Sequence, residues 1–447
     1  MQTRFTATQL QDPAIARADA ILKRCIHCGL CTATCPTYVI LGDERDSPRG
    51  RIYLMKEMFE RNEVTPAAAY HIDRCLSCLS CMTACPSGVD YMHLVDLARV
   101  RIEARGQRSL SHSAMQWLLS KVLPYPRRFR YALLLGRFAK PMRGLFEKLG
   151  WTMPAAALEL VPPRLPRLRQ HMAALVDDTR PVRRVALMLG CVQEVLQPSI
   201  NQAAIRLLKR HGVEVVLARD EGCCGALVHH MGREKEALFA ARHNVDAWTL
   251  AIRERPFDAI IVTASGCGTM VKDYGDLLAR DRGYAGRAGE ISSLARDIAE
   301  FMTEIGLDTP VMWTSLRVAY HSACSLQHGQ RVDAAPRQLL KQAGFTVVDI
   351  PEGDICCGSA GTYNIMQPEL AGELRDRKLR NIASVKPDLV ATGNIGCIAQ
   401  LAQKSSVPVV HTVELLDWAT GGPCPEALHR LRGKAHHIKG LMAAEMA

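Results

Sequence analysis

The stretch CIHCGLCTATCP at 25–36 packs four cysteines and a proline into twelve residues, and CLSCLSCMTACP at 75–86 repeats the arrangement. Two matched runs limit the fold severely, because both loops must converge on whatever the sulfurs bind. The whole chain carries 17 cysteines in 447 residues. Its N-terminus lacks a basic region followed by an apolar stretch, and no apolar run approaches the roughly 20 residues that span a bilayer. A soluble, cytoplasmic chain is therefore expected, and there the thiol pool keeps cysteines reduced. Metal or redox chemistry is the better reading of so many thiols.

Both runs have the form Cys-x2-Cys-x2-Cys-x3-Cys-Pro, the spacing of the bacterial two-cluster ferredoxin run, whose fourth cysteine ligates the other cluster. On that pattern Cys25, Cys28, Cys31 and Cys85 hold one [4Fe-4S] cluster, and Cys75, Cys78, Cys81 and Cys35 the second. Pro36 and Pro86 end the ligand turns, and Gly29 lets backbone approach the cluster closely. Structural zinc is the alternative, but it usually takes ligands in two well-separated pairs. No G-x-G-x-x-G follows a strand and no P-loop occurs. The chain reads as an electron carrier that leaves the primary chemistry to another subunit.

The length exceeds one ordinary core, which rarely grows past about 250–300 residues, and four blocks are expected. Residues 15–105 form the two-cluster block, with Ser47 an N-cap and Pro48 the first helical residue of SPRGRIYLMKEM. Residues 106–182 form a basic helical connector that runs into a proline-rich linker. Residues 183–312 and 313–425 form an internal repeat: VALMLGC pairs with VAYHSAC and DEGCCGA with GDICCGS at an offset of 133, and FDAIIVTASGC pairs with PDLVATGNIGC at 130. A register shared over three landmarks marks a duplication. Within each copy, short β-branched runs alternate with helices ending at Gly212 or Gly344, which implies parallel sheets. Each cysteine then falls at the carboxyl end of a strand, where open α/β sheets place ligands. The expected fold class is mixed α/β: a helical two-cluster ferredoxin-like domain, then a duplicated α/β cysteine-rich domain.

The net charge of +11 raises the question of nucleic acid, but aromatic content is only 5% and no nucleic-acid motif occurs. Much of the excess lies at 121–146, with seven basic residues and no acidic one. Three readings stay open for this segment: a solvated helical surface, a contact for an acidic partner subunit, and a contact for the anionic inner face of the cell membrane.

GCCGA and ICCGS resemble the cysteine-rich domain of heterodisulfide reductase B-type subunits. The matching residues are Cys191, Cys223, Cys224 and Cys267, then Cys324, Cys356, Cys357 and Cys397. The earlier cysteine of the family's final Cys-x2-Cys is replaced by Ala264 and Asn394. Four thiols per repeat leave three readings open: a further cluster, zinc, or buried inert cysteines. His229, His230, His321 and His328 read as satisfied polar residues rather than ligands, and Cys424 as an incidental thiol. Taken whole, the chain resembles the iron-sulfur subunit of glycolate oxidase, on CIHCGLCTATCPTY, DRCLSCLSCMTACPSGV, GCCGALVHHMG, SGCGTMVKDYG, CCGSAGTYNIMQPEL and TGNIGCIAQL. The resemblance implies FAD-bearing partner subunits that oxidise glycolate to glyoxylate, with electrons passing through two [4Fe-4S] clusters towards a quinone. It also implies a place at the inner face of the membrane and no catalytic residue on this chain. The runners-up are the equivalent subunit of a lactate or glycerol-3-phosphate dehydrogenase, and a zinc-stabilised adaptor without redox activity.

Overall fold

The computed structural model describes residues 1–166 and 183–437; the greater part of the expected proline-rich linker, 167–182, lies outside the described residues. The first block is helical. Pro13–Arg24, Pro48–Arg61, Pro66–Asp73 and Tyr91–Arg105 each begin at a side chain that caps a free backbone N–H: Asp12, Ser47, Thr65 and Asp90. Proline at the first position sharpens three of these starts, since its missing N–H would have no helical partner. Their inward faces meet in a core of Leu22, Met55, Ile72, Leu94 and Ile102, all fully buried. The two cysteine runs occupy the loops between these helices, so the core fixes loop positions that no regular element could hold.

The connector continues as helices Leu110–Val122, Pro126–Ala139, Arg143–Lys148 and Thr152–Glu159. After it come the strands β1 (Arg183–Met188), β2 (Val213–Val216), β3 (Ala259–Val262), β4 (Ala295–Asp297), β5 (Met312–Thr314), β6 (Arg317–His321), β7 (Thr346–Asp349), β8 (Leu389–Thr392), β9 (Val409–His411) and β10 (Ala435–His437). They build two parallel sheets of order β2-β1-β3-β4 and β7-β6-β8-β9, while β5 and β10 pair antiparallel apart from both. The sheets share register as well as order: Val185 faces Ala259 in the first, and its repeat equivalent Val318 faces Leu389 in the second. The mixed α/β architecture and duplicated parallel sheets match the expectation from sequence.

In each sheet the chain leaves the central strand to one side and returns on the other, so a switch point opens at the carboxyl end of β1 or β6. Cys191 and Cys324 follow those strands within three residues. Strands buried on both faces need helices on both, and the amphipathic helix Ser199–Arg210 covers one side through Leu207 and Leu208. The same core takes in Leu339, Leu340, Phe345 and Trp418 from the second copy. The repeats are thus fused across one apolar interior, pinned at its rim by Arg206 and Arg210 on the buried Asp417.

Candidate metal centres

The two cysteine loops share one backbone path. His27 and Gly29 have φ of 58° and 83°, and Ser77 and Leu79, fifty positions on, have 49° and 64°. Alternating left-handed residues turn successive N–H groups to one side and make a concave anion cradle. At Ser77 the backbone N–H donates to Cys75 Sγ at 3.4 Å. Cys25, Cys28, Cys31 and Cys85 line one cavity, and Cys81, which also lines the other, contributes to its wall. Cys35, Cys75, Cys78 and Cys81 line a second. Each cavity therefore draws three sulfurs from one run and the fourth cysteine of the other. Burial pushes the Cys31 thiol up to about 11, and drives Cys78 and Cys81 further, with neighbouring sulfurs adding to the effect. Such groups become thiolates by exchanging a proton for a cation, as metal ligands do.

The surroundings of the two cavities differ. Cys28 is exposed, and Ile26 and Leu30 beside it are 68% and 60% exposed. Around the second cavity Cys35, Cys75 and Cys81 are buried, and a buried cation stands beside them. Arg51, 1% exposed, donates to Cys35 Sγ at 3.8 Å, Thr37 Oγ1 at 3.0 Å and the His71 carbonyl at 2.7 Å, and pairs with Asp46 at 3.1 Å. Tyr91 Oη donates to Cys75 Sγ at 3.7 Å. Reading the sequence missed Arg51, because an arginine inside a helical string carries no spacing signal.

The eight later cysteines gather into two groups. Cys191 Sγ lies 3.3 Å from Cys223 Sγ. The sulfurs of Cys191 and Cys224 hold the Cys223 thiol far below its usual range, and Cys223 and Cys267 beside it, together with burial, push Cys224 up. In the second copy the neighbouring sulfurs and burial push the Cys324, Cys356 and Cys357 thiols up, with Cys356 acting on Cys324, Cys357 on Cys356 and Cys397 on Cys357. The glycine closing each Cys-Cys-Gly has a structural cause. Gly225 and Gly358 sit at φ of 88° and 86°, and their N–H groups donate to Cys223 Sγ at 3.5 Å and Cys356 Sγ at 3.4 Å. A Cβ on Gly358 would stand 2.6 Å from the Ala371 carbonyl oxygen.

The second group adjoins the ferredoxin-like block: Cys78 packs in one apolar cluster with Cys324, Cys356 and Leu76. The first opens on a cavity of about 460 Å³, whose wall includes Cys191, Cys223, Phe239, Tyr125 and Lys121, the last two from the connector. Of the histidines, His229 Nε2 lies 3.1 Å from Asp96, and His328 Nδ1 lies 2.8 Å from Thr83 Oγ1. These are interdomain contacts, and His230 also faces Asp96; the first two rings are only half satisfied, since His229 Nδ1 and His328 Nε2 are buried without a hydrogen-bond partner, which departs from the expectation of satisfied polar residues. His321 departs further: it groups with Cys357 and Cys397, one ligand atom from each of the three lying within 4.8 Å of the others.

Comparison with known proteins fits this arrangement. The pattern of the 4Fe-4S dicluster domain matches residues 24–89, and that of the cysteine-rich domain matches 185–272 and 318–402. The chain is 41% identical over 419 residues to the glycolate oxidase iron-sulfur subunit of Escherichia coli, covering 94% of this chain and 99% of that one. It is 30% identical over 452 residues to the probable glycolate oxidase iron-sulfur subunit of Bacillus subtilis, with the same coverage. A hypothetical protein from Helicobacter pylori shares the fold, with a TM-score of 0.50 at 12% identity over 97% of this chain and 76% of that one. With two clusters' worth of paired cysteine loops, a duplicated cysteine-rich domain and this likeness over nearly its full length, the chain belongs to the family of glycolate oxidase iron-sulfur subunits.

Proposed function

We propose that this chain is the electron-transfer subunit of a glycolate-oxidising complex, taking electrons from FAD-bearing subunits that convert glycolate to glyoxylate and delivering them to a membrane quinone. The carrying observation is the crossed lining of two cysteine cavities, one at the surface and one buried. Cys25, Cys28, Cys31 and Cys85 hold one [4Fe-4S] cluster, and Cys75, Cys78, Cys81 and Cys35 the other. When bound, each cluster takes up and gives back one electron at a time, the conversion a two-electron flavin needs before a distant acceptor.

The protein's own groups supply position and polarity. Exposed Ile26 and Leu30 make an apolar rim around the first cavity, which suits the docking of a flavoprotein. Arg51, Tyr91 and the N–H of Ser77 point positive charge or dipoles at the second, which favours the electron-rich state of what is bound there. The second cysteine-rich group lies next in line against Cys78, and the first faces the apolar-walled cavity under the connector.

The connector supports delivery at a lipid surface. Twelve of the twenty exposed large apolar side chains among the described residues lie between Leu110 and Trp151, including Trp117, Tyr131, Leu135 and Phe138. They stand among the seven basic residues of 121–146. Aromatic and apolar tips mixed with cations are the signature of an interfacial helix on anionic lipid. Among the described residues no helix is long and apolar enough to cross a membrane, so contact through this face is peripheral.

The test is substrate-driven reduction of the purified complex without oxygen. Glycolate is expected to bleach the brown absorbance of this chain, and lactate and glycerol 3-phosphate to leave it. Bleaching by one of those in place of glycolate would reassign the substrate, and a colourless chain holding zinc without iron would remove the electron-transfer role.

A further inference from the structure

His321 is 1% exposed, yet its Nε2 has no hydrogen-bond partner. A buried polar nitrogen left unpaired costs about 1–3 kcal/mol; His229 Nδ1 and His328 Nε2 are unpaired too, but among the described residues His321 is the histidine that groups with cysteines. This one sits at the carboxyl end of β6, held there by the pairing of His321 with Thr392 on β8. Its ring nitrogen shares a 4.8 Å neighbourhood with Cys357 and Cys397. Neutral imidazole and thiolate together are a familiar ligand set for iron.

The two repeats differ at this place. The equivalent of His321, at the 133-residue offset, is Met188, which is packed in an apolar core with Val262 and Trp248. The missing cysteine of the final Cys-x2-Cys is Ala264 in the first copy and Asn394 in the second. Asn394 donates to Cys397 Sγ at 3.6 Å and so supports a ligand without becoming one. The second copy therefore regains a fifth donor from another strand, and the first does not. Lys378, also 1% exposed, donates to the Glu352 carbonyl at 2.7 Å; its charge lies near Cys324, Cys356 and Cys357, where an ammonium favours bound thiolates and cannot itself ligate.

We propose that His321 ligates an iron-sulfur centre in the second cysteine-rich repeat, beside Cys324, Cys356, Cys357 and Cys397, and that the first repeat has a thiolate-only site. The proposal rests on the reading that the cysteine-rich repeats bind iron-sulfur groups. A fifth donor that is imidazole rather than thiolate leaves the metal with less negative charge, and a higher reduction potential, than five thiolates would give. The repeats are then chemically unequal, with a mixed imidazole and thiolate site in the second, directly beside Cys78, and a four-thiolate site in the first.

The two clusters of the ferredoxin-like block are all-cysteine, so a histidine nitrogen on iron reports this centre alone. The full chain, purified without oxygen, is examined by electron spin echo spectroscopy and by Mössbauer spectroscopy, which sees all iron whatever its spin state. Wild type is expected to show directly bound imidazole nitrogen and one nitrogen-ligated iron component. His321→Ala should abolish both, and His328→Ala should leave both. His321→Cys keeps a ligand where alanine leaves a hole; it should retain iron, lose the nitrogen signature and move one midpoint potential downward. Nitrogen ligation that survives in both His321 variants, or its absence from wild type while Cys357→Ser lowers the iron content, overturns the role of His321 and leaves the iron-sulfur reading standing. Iron content and spectra unchanged in both Cys357→Ser and Cys397→Ser would instead remove the reading beneath it.

Discussion

At the scale of single residues, Gly358 shows how tightly the second cysteine group is held. Its backbone is left-handed, and a side chain would press on the Ala371 carbonyl of the following helix. Gly358→Ala should cost about 1–3 kcal/mol, read as a lower melting temperature and weakened iron retention. Gly225→Ala, where the nearest contact is 3.2 Å, should cost less; equal stability of both variants with wild type would contradict this. Arg51 makes a second case. Replacing it with methionine leaves Asp46, fully buried, with one fewer cation, a loss of about 3–5 kcal/mol if no partner shifts. It also removes the charge beside Cys35, so the potential of the buried cluster should fall in a redox titration; an unchanged potential would contradict the assigned role. The glycine was legible as part of a motif, although not its reason, which is a helix carbonyl distant in sequence. Arg51 and the setting of His321 were not legible at all, because each depends on which loops the fold brings together.

At the scale of elements, helix Tyr91–Arg105 clamps the ferredoxin-like block to the first repeat. His93 Nδ1 meets Asp90 at 2.6 Å and Nε2 meets Asp273 at 3.0 Å, with Asp276 at 3.2 Å and Arg17 paired to Asp276 at 2.6 Å. Hydrogen bonds and charge from Asp273 and Asp90 outweigh the loss of solvent and raise His93 from 6.5 to about 10. A raised folded-state value stabilises fully below the unfolded value and fades as pH climbs through the folded one. The stability gap between wild type and His93→Ala should therefore be widest just below about pH 6.5, shrink steadily above it and close towards about pH 10; a gap that is flat with pH would contradict it. The connector is the other functional element. Leu135→Glu with Phe138→Glu, both solvent-facing, should abolish sedimentation with anionic vesicles while leaving the fold intact. Retained binding would remove the lipid contact. Sequence located this basic stretch but left three readings open, because only the fold shows which apolar side chains remain uncovered.

At the scale of the molecule, the offsets of 133 and 130 made the duplicated sheets legible before any coordinates, since each landmark is a strand followed by its cysteine. What repeats could not reveal is their joining. The carboxyl ends of the two sheets touch, with Ser265 N–H donating to the Gly393 carbonyl at 3.2 Å and His411 Nε2 lying 2.8 Å from the Thr263 carbonyl. Cysteines that lie far apart in sequence are brought together in pairs of blocks: Cys78 packs with Cys324 and Cys356, and Cys267 of the first repeat packs against the same core as Cys357 and Cys397 of the second. The central claim is that electrons from the flavoprotein must cross this chain, and Cys28→Ser in the assembled complex tests it most directly. With glycolate present, the variant's flavin should still be reduced at a rate near wild type, while quinone reduction falls at least about a hundredfold, a barrier increase of about 2.7 kcal/mol. Quinone reduction at the wild-type rate would contradict the account.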